Sequence, residues 1–342
     1  TRNLKGNIID VGNAKEGRIN PFHIYKILTE EGTPADPVVT FNTHLKMLES
    51  FFKIGLVGAS QDVIELINNL VVETYERKGI TETTDCSNFK AEDFPLFSDL
   101  LETLQSKDKE SMDSLTLRDM RTAELYLQKF VTGRYSDIWN APSTLGVDAD
   151  IIDFNFQSLF ANKNNVVANS QMLLVFRFIE QEVINAREMN RYGKNLRTLI
   201  IVDEGHLFID AKFPIALDFF YQMSKRIRKY NGSFIPATQN IADWNANEEL
   251  RSKTSAIIKN SQYLFIFKLA APDMKDVLDV YKAGDSFNEE EQRMIISAVT
   301  GQAFFVGSSE LRACIRIKAG KYARGLFEER KAEKEAEAEL SE

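Results

Sequence analysis

The second half of the chain alternates short apolar runs with longer helical repeats, and that alternation constrains the fold more than any other feature. TLIIV at 198–202 and SFIPAT at 233–238 are apolar on both faces, as strands are when they lie in a parallel sheet covered by helices. Between them, residues 214–230 place Ala216, Phe219, Phe220, Met223 and Ile227 on one stripe at helical spacing. A further run, QYLFIFKL from Gln262, extends the pattern. Strand, helix and strand in succession predict an α/β fold with a mostly parallel sheet.

The first half adds two kinds of segment. NIIDVG, Asn7 to Gly12, reads as a short buried strand followed by the turn-rich NAKEGRINP, and Ile151 to Phe156 reads as another strand. Helical spacing marks Val38–Ile54, Ser60–Arg77 and Ser170–Asn190. From Gly79 to about Asn140, acidic loops alternate with the amphipathic stretches FSDLLETLQ and LRDMRTAELYLQKFV, with no strand pattern between them. This predicts an all-helical subdomain inserted into the α/β core. QAFFVGSSELRACIRI reads as a C-terminal hairpin around GSSE. The expected division is 1–58 and 149–326 for the core, 59–148 for the helical subdomain, and 327–342 for a charged helical tail.

Composition excludes several classes. At 342 residues, 44% apolar and 27% charged, the chain is an ordinary globular protein with core enough for about two domains. Of the net charge of −8, the tail FEERKAEKEAEAELSE supplies −4, from seven acids and three bases. The remainder is mildly acidic, which argues against a broad nucleic-acid-coating surface but leaves a local basic groove open. Cys86 and Cys314 have neither disulfide-framework nor metal spacing, which predicts a reducing cytoplasm. Met294–Ser309, the longest uncharged stretch, is broken by Thr300-Gly301-Gln302 and is too short to span a membrane. Thr1 is not a natural start, and the sequence reads as a fragment of something longer.

The stretch LIIVDEGHLFID runs four apolar residues into two adjacent carboxylates, Asp203 and Glu204. In a parallel α/β sheet, ligands gather at the carboxyl ends of the strands. For phosphoryl transfer one acid would hold the Mg²⁺ that bridges the phosphates, and the next would orient the attacking water. The plainer reading is a buried strand reaching the surface. SFIPAT ends in Thr238-Gln239-Asn240. Gln239 at that tip suits a group that senses a γ-phosphate, whereas Thr238 or Asn240 could simply cap a helix. In KRIRKYNG, Arg226 and Arg228 flank the buried stripe. Either could reach a neighbouring subunit's phosphates, or the cluster could merely complement the helix dipole. His206 reads as a supporting or surface residue, and His23 and His44 have no partners at metal spacing.

A phosphate loop of the form Gly-x-x-x-x-Gly-Lys-Ser/Thr is absent from the sequence. GLVGAS at 55–60 lacks the lysine and follows a helix instead of a strand. The expectation is that the loop lies upstream of Thr1.

With these motifs in order, the chain resembles the C-terminal ATPase region of the type IV secretion conjugation ATPases, the VirB-four, TraC and TraE class within the FtsK/HerA superfamily. The resemblance covers nearly all of residues 1–320. It rests on NIIDVG with GRINPF, FVTGRYSDIWNAP, LIIVDEGHLFID, SKRIRKYNGSFIPATQNIADW and GQAFFVGSSELRACIRI. It implies a RecA-like P-loop NTPase core using ATP and Mg²⁺, with Walker B on LIIVDEGHLFID. Asp203 would serve the metal, Glu204 the water, Gln239 the γ-phosphate, and Arg226 or Arg228 the neighbouring site. It further implies a hexameric motor that powers pilus assembly or substrate transfer. That motor would sit peripherally at the inner face of the cell membrane, in contact with the secretion channel, coupling proteins and DNA. DEGH departs slightly from the usual string. Three alternatives differ in their marks. A DEAH-box helicase would add a Ser-Ala-Thr strand and a QRxGRxGR block, neither of which occurs. A scaffold would keep the fold without turnover, and a coupling protein would carry N-terminal membrane helices.

Overall fold

The computed structural model describes residues 4–12, 18–27, 33–108, 110, 112–145, 149–161, 164–239, 248–281 and 286–326. Gly17 of GRINPF, Asn240, the IADW segment and the tail 327–342 lie outside the described residues. The chain forms two compact units. Residues 1–200, 212–219 and 226–235 make the first, and 201–211, 220–225 and 236–342 make the second.

In the first unit, β1 (Asn7–Asp10) pairs parallel with β2 (Ile152–Asn155), Asn7 opposite Ile152 and Asp10 opposite Asn155. The chain between them is mainly helical: α1 (Pro37–Gly55), α2 (Gln61–Arg77), α3 (Phe97–Gln105), α4 (Ser114–Val131) and the short α5 (Ser136–Trp139). Each start has a local cause. The Asp36 carboxylate accepts from the Val38 N–H ahead of Pro37, the Ser60 hydroxyl from Val63, and Asp113 from Leu115 and Thr116. GLVGAS is a helix–helix turn: Gly55 ends α1, Gly58 takes φ +87°, and Ser60 caps α2. An aromatic cluster fills the interior. Phe97 stacks on Phe130 at 4.5 Å and Phe51 meets Trp139 edge-on at 5.1 Å, and all four side chains are fully buried.

The helical part and the β1–β2 pair are tied together by a buried hydrogen-bonded chain. Trp139 Nε1 donates to Gln171 Oε1 at 2.8 Å, and Gln171 Nε2 donates to the Val11 carbonyl at 2.9 Å. Gln171 lies on α7 (Asn165–Arg191), which comes after the short α6 (Gln157–Ala161). Gly12 sits where a Cβ would land on the Ser158 hydroxyl, which itself bonds the Asp10 carboxylate.

β3 (Thr198–Val202) and β4 (Gly232–Pro236) pair with one another and carry their C-terminal ends into the second unit. They run in the same sense, Gly232 lying against Thr198 and Ala237 bonding Val202. Between them, α8 (Pro214–Arg226) stops four residues before the expected Tyr230 and gives way to a tighter turn over Ile227–Tyr230. Asn231 ends that turn in the left-handed conformation, φ +57°. The second unit continues with α9 (Glu248–Asn260), β5 (Leu264–Ile266), α10 (Ala271–Tyr281), α11 (Glu289–Ser297), β6 (Gln302–Val306) and β7 (Arg312–Arg316).

The apolar run from Gln262 predicts a further strand of the parallel sheet, but β5 instead pairs antiparallel with β6, Phe265 opposite Phe305. The reason is the pair of helices between them. One crossover helix returns the chain to a strand's starting end, whereas two leave it at the end it departed from, so the next strand runs backwards. The hairpin at GSSE is present as β6–β7, Gln302 opposite Arg316. The described strands therefore make two small parallel pairs and a three-stranded antiparallel sheet. One face of that sheet packs Ile266 and Phe304 against Met274, Val277, Phe287 and Ile295. On the other, Tyr263, Phe265 and Phe267 are 55%, 50% and 52% exposed.

Candidate functional site at the tips of two parallel strands

The tips of β3 and β4 are joined by two backbone hydrogen bonds that share Ala237. Its N–H donates to the Val202 carbonyl at 2.8 Å, and its carbonyl accepts from the Gly205 N–H at 2.7 Å. In a regular parallel ladder the two partners of one residue are separated by a single residue. Here two stand between them, Asp203 and Glu204, so the strand end is bulged by one residue. Bulges re-aim side chains and recur beside active sites. Glu204 absorbs the extra residue by taking the left-handed conformation, φ 51° and ψ 44°. A non-glycine residue there is strained by about 1–3 kcal/mol, and such strain concentrates at functional positions. Buried Gly205 anchors the turn after the bulge: its carbonyl accepts from Phe208 and Ile209, both at 3.2 Å, and both those side chains are buried.

The bulge separates the two acids. Asp203 is exposed, and its Oδ1 accepts from the Glu204 N–H at 2.9 Å. The Glu204 side chain lies across to β4, where its Oε1 accepts a hydrogen bond from Gln239 Nε2. Its Oε2 is sheltered from solvent and lies 3.3 Å from His206 Nδ1, also sheltered. The second unit thus brings Asp203, Glu204 and Gln239 together. Arg226 and Arg228 belong to the first unit, both exposed on either side of buried Ile227.

The donor chemistry fits a hard divalent cation. Mg²⁺ keeps most of its waters and takes one or two carboxylates plus phosphate oxygens, and Asp203 offers one exposed carboxylate. Among the described residues no cluster of three or more His, Cys, Asp or Glu could hold a metal without such help. His44 is buried with its Nε2 at 2.8 Å from the Tyr75 hydroxyl, and His23 is stacked between Tyr25 and Phe94. Both are packing residues. The approach of His206 to Glu204 has no signal in the sequence, because nothing in the spacing shows that a bulge will turn the two side chains together.

No family model matches the sequence. TraC of Escherichia coli (strain K12) is 26% identical over 193 residues, a stretch covering 56% of this chain and 21% of TraC. The structure of VirB4 of Thermoanaerobacter pseudethanolicus superposes with a TM-score of 0.72 at 25% identity, covering 94% of this chain and 78% of that one. The chain is thus similar in sequence and fold to the VirB4/TraC-type conjugation ATPases. The mixed α/β fold of VirB4 accordingly accommodates nearly the whole of this chain. The plasmid coupling protein TrwB, bound to a non-hydrolysable GTP analogue, aligns with a TM-score of 0.46 at 11% identity. The match to TraC spans about a fifth of that protein's length. Among the described residues, no helix is long and apolar enough to cross a membrane.

Proposed function

We propose that this chain is the hydrolytic half of an ATP-driven motor of a type IV secretion system. On this reading residues 1–58 and 149–326 form a RecA-like core, 59–148 an inserted helical lobe and 327–342 a tail. The motor works as a hexamer at the cytoplasmic face of the membrane, powering pilus assembly or substrate transfer and engaging the channel, coupling proteins and DNA. The observation that carries the reading is the hydrogen bond from Gln239 to Glu204 across the tips of β3 and β4. It puts an acid and an amide side by side at the carboxyl ends of parallel strands, where such sheets bind ligands.

Mg-ATP, when bound, supplies the γ-phosphoryl group and the charge that stabilises its transfer. Asp203 accepts the waters of the metal shell. Glu204 orients a water and takes its proton, and Gln239 holds the Glu204 carboxylate in place and reports whether a phosphate stands beside it. Arg226 or Arg228 serves the neighbouring subunit's site. No Gly-Lys-Ser/Thr string occurs within this sequence. That same lack favours a second reading, a scaffold with the motor's fold and no turnover.

The test is Glu204→Gln in the full-length protein. Mg-ATP affinity should stay within about threefold while turnover falls by roughly 10²- to 10⁴-fold, the usual contribution of a general base. Hydrolysis close to that of the parent protein overturns the assignment. A parent that neither binds nor hydrolyses ATP establishes the scaffold.

A further inference from the structure

We infer that His206 is a positioning residue for Glu204, its Nδ1–H donating to Oε2 so that the carboxylate is held through both oxygens. The inference rests on the reading of Glu204 as the residue that orients water, and it adds the group that fixes its direction. Three observations carry it. Glu204 Oε1 is already engaged by Gln239, which leaves Oε2 as the oxygen whose orientation is unset. Oε2 and His206 Nδ1 are both shielded from solvent, neither has a hydrogen-bond partner, and they lie 3.3 Å apart. A sheltered carboxylate oxygen opposite a sheltered ring nitrogen satisfies both atoms only if the nitrogen carries the proton.

The third observation is rigidity. His206 sits in the turn Gly205–Leu207, which Gly205 pins to β4 through Ala237 and which the Leu207 N–H closes onto the Glu204 carbonyl at 2.9 Å. The backbone that carries the imidazole is therefore fixed relative to the strand tip, and a swing of the Glu204 carboxylate breaks the contact. The Nδ1–H tautomer leaves Nε2 as an acceptor, a second-site preference of the kind that orients ligating and catalytic groups elsewhere.

Two measurements test this. In the full-length protein, His206→Ala should lower kcat by roughly 10- to 100-fold, as losing an orienting partner does, with KM for ATP within about twofold. His206→Asn sets an amide N–H where Nδ1–H stood and should recover most of that loss. His206→Gln reaches past it and should not. Separately, imidazole ¹⁵N shifts of the 342-residue chain should show His206 protonated on Nδ1, and Glu204→Ala should return the ring to the Nε2–H form favoured in water. Normal kcat in His206→Ala, or equal behaviour of the Asn and Gln variants, overturns the positioning role. So does an Nε2–H ring in the parent chain. If instead Glu204→Gln hydrolyses normally, it is the reading of the site that fails, and the ring spectrum still reports on the pair.

Discussion

Glu204 combines three demands at one position: a carboxylate at a strand tip, a left-handed backbone and a side chain turned toward the next strand. The first is legible in the sequence, because four apolar residues ending in Asp-Glu announce a strand reaching the ligand-binding edge. The second is not. Left-handed backbone is read from glycine or asparagine in a sequence, and here glycine occupies the next position, Gly205, where it is buried. The strain yields a prediction. Glu204→Gly should raise the free energy of unfolding by roughly 1 kcal/mol, the cost of a left-handed non-glycine residue, as measured by urea denaturation. A stability loss would show that the contacts of the carboxylate outweigh the backbone.

At the scale of elements, caps and periodicity place α1, α2 and α3 within a residue or two. Asp36 before Pro37 and Ser60 before α2 are the residues that accept the free N–H groups. For α7 the periodicity points to a start at Ser170, but the helix begins at Asn165, with Asn164 accepting from Val167. Its first turns are buried on every side, Val167 to Phe176 without a break, so no polar face is available to mark the start. The direction of β5 is illegible for another reason: strand polarity depends on the number of crossover helices, and the nine-residue α11 is marked in sequence only at its start, by the Asn288 cap and an acidic first turn. The joint between β1 and β2 makes a sharper statement. Gly12→Ala should cost about 1–3 kcal/mol, because a methyl there displaces the Ser158 hydroxyl from Asp10. Gly320→Ala, with nothing near its Cβ, should stay within about 0.5 kcal/mol. Paired thermal melts decide it.

For the whole molecule, buried His44 and half-buried His23 make the fold sensitive to acid. Burial lowers His23 to about 4, and burial together with the charges of His23 and Arg177 lowers His44 to about 3. An unfolded histidine titrates near 6.5. Between roughly pH 6.5 and pH 4 the unfolded chain therefore takes up protons that the folded chain refuses, and stability falls as pH falls. Each unit of that window removes about 1.4 kcal/mol per histidine. The urea midpoint should drop steadily from about pH 7 to about pH 4.5, and His44→Gln should flatten the slope. A midpoint unchanged over that range would show that the two rings are hydrated.

The outer face of β5–β6–β7 has a practical corollary. Tyr263, Phe265 and Phe267 line up along one strand edge with Phe305 beside them, its ring 5.0 Å from that of Phe265. In dilute buffer these rings form an adhesive stripe. A purified sample should bind a hydrophobic dye without denaturant and scatter more light per milligram as it is concentrated. Phe265→Thr should lessen both, so the ease of concentrating the protein becomes a readout of how well that stripe is hidden.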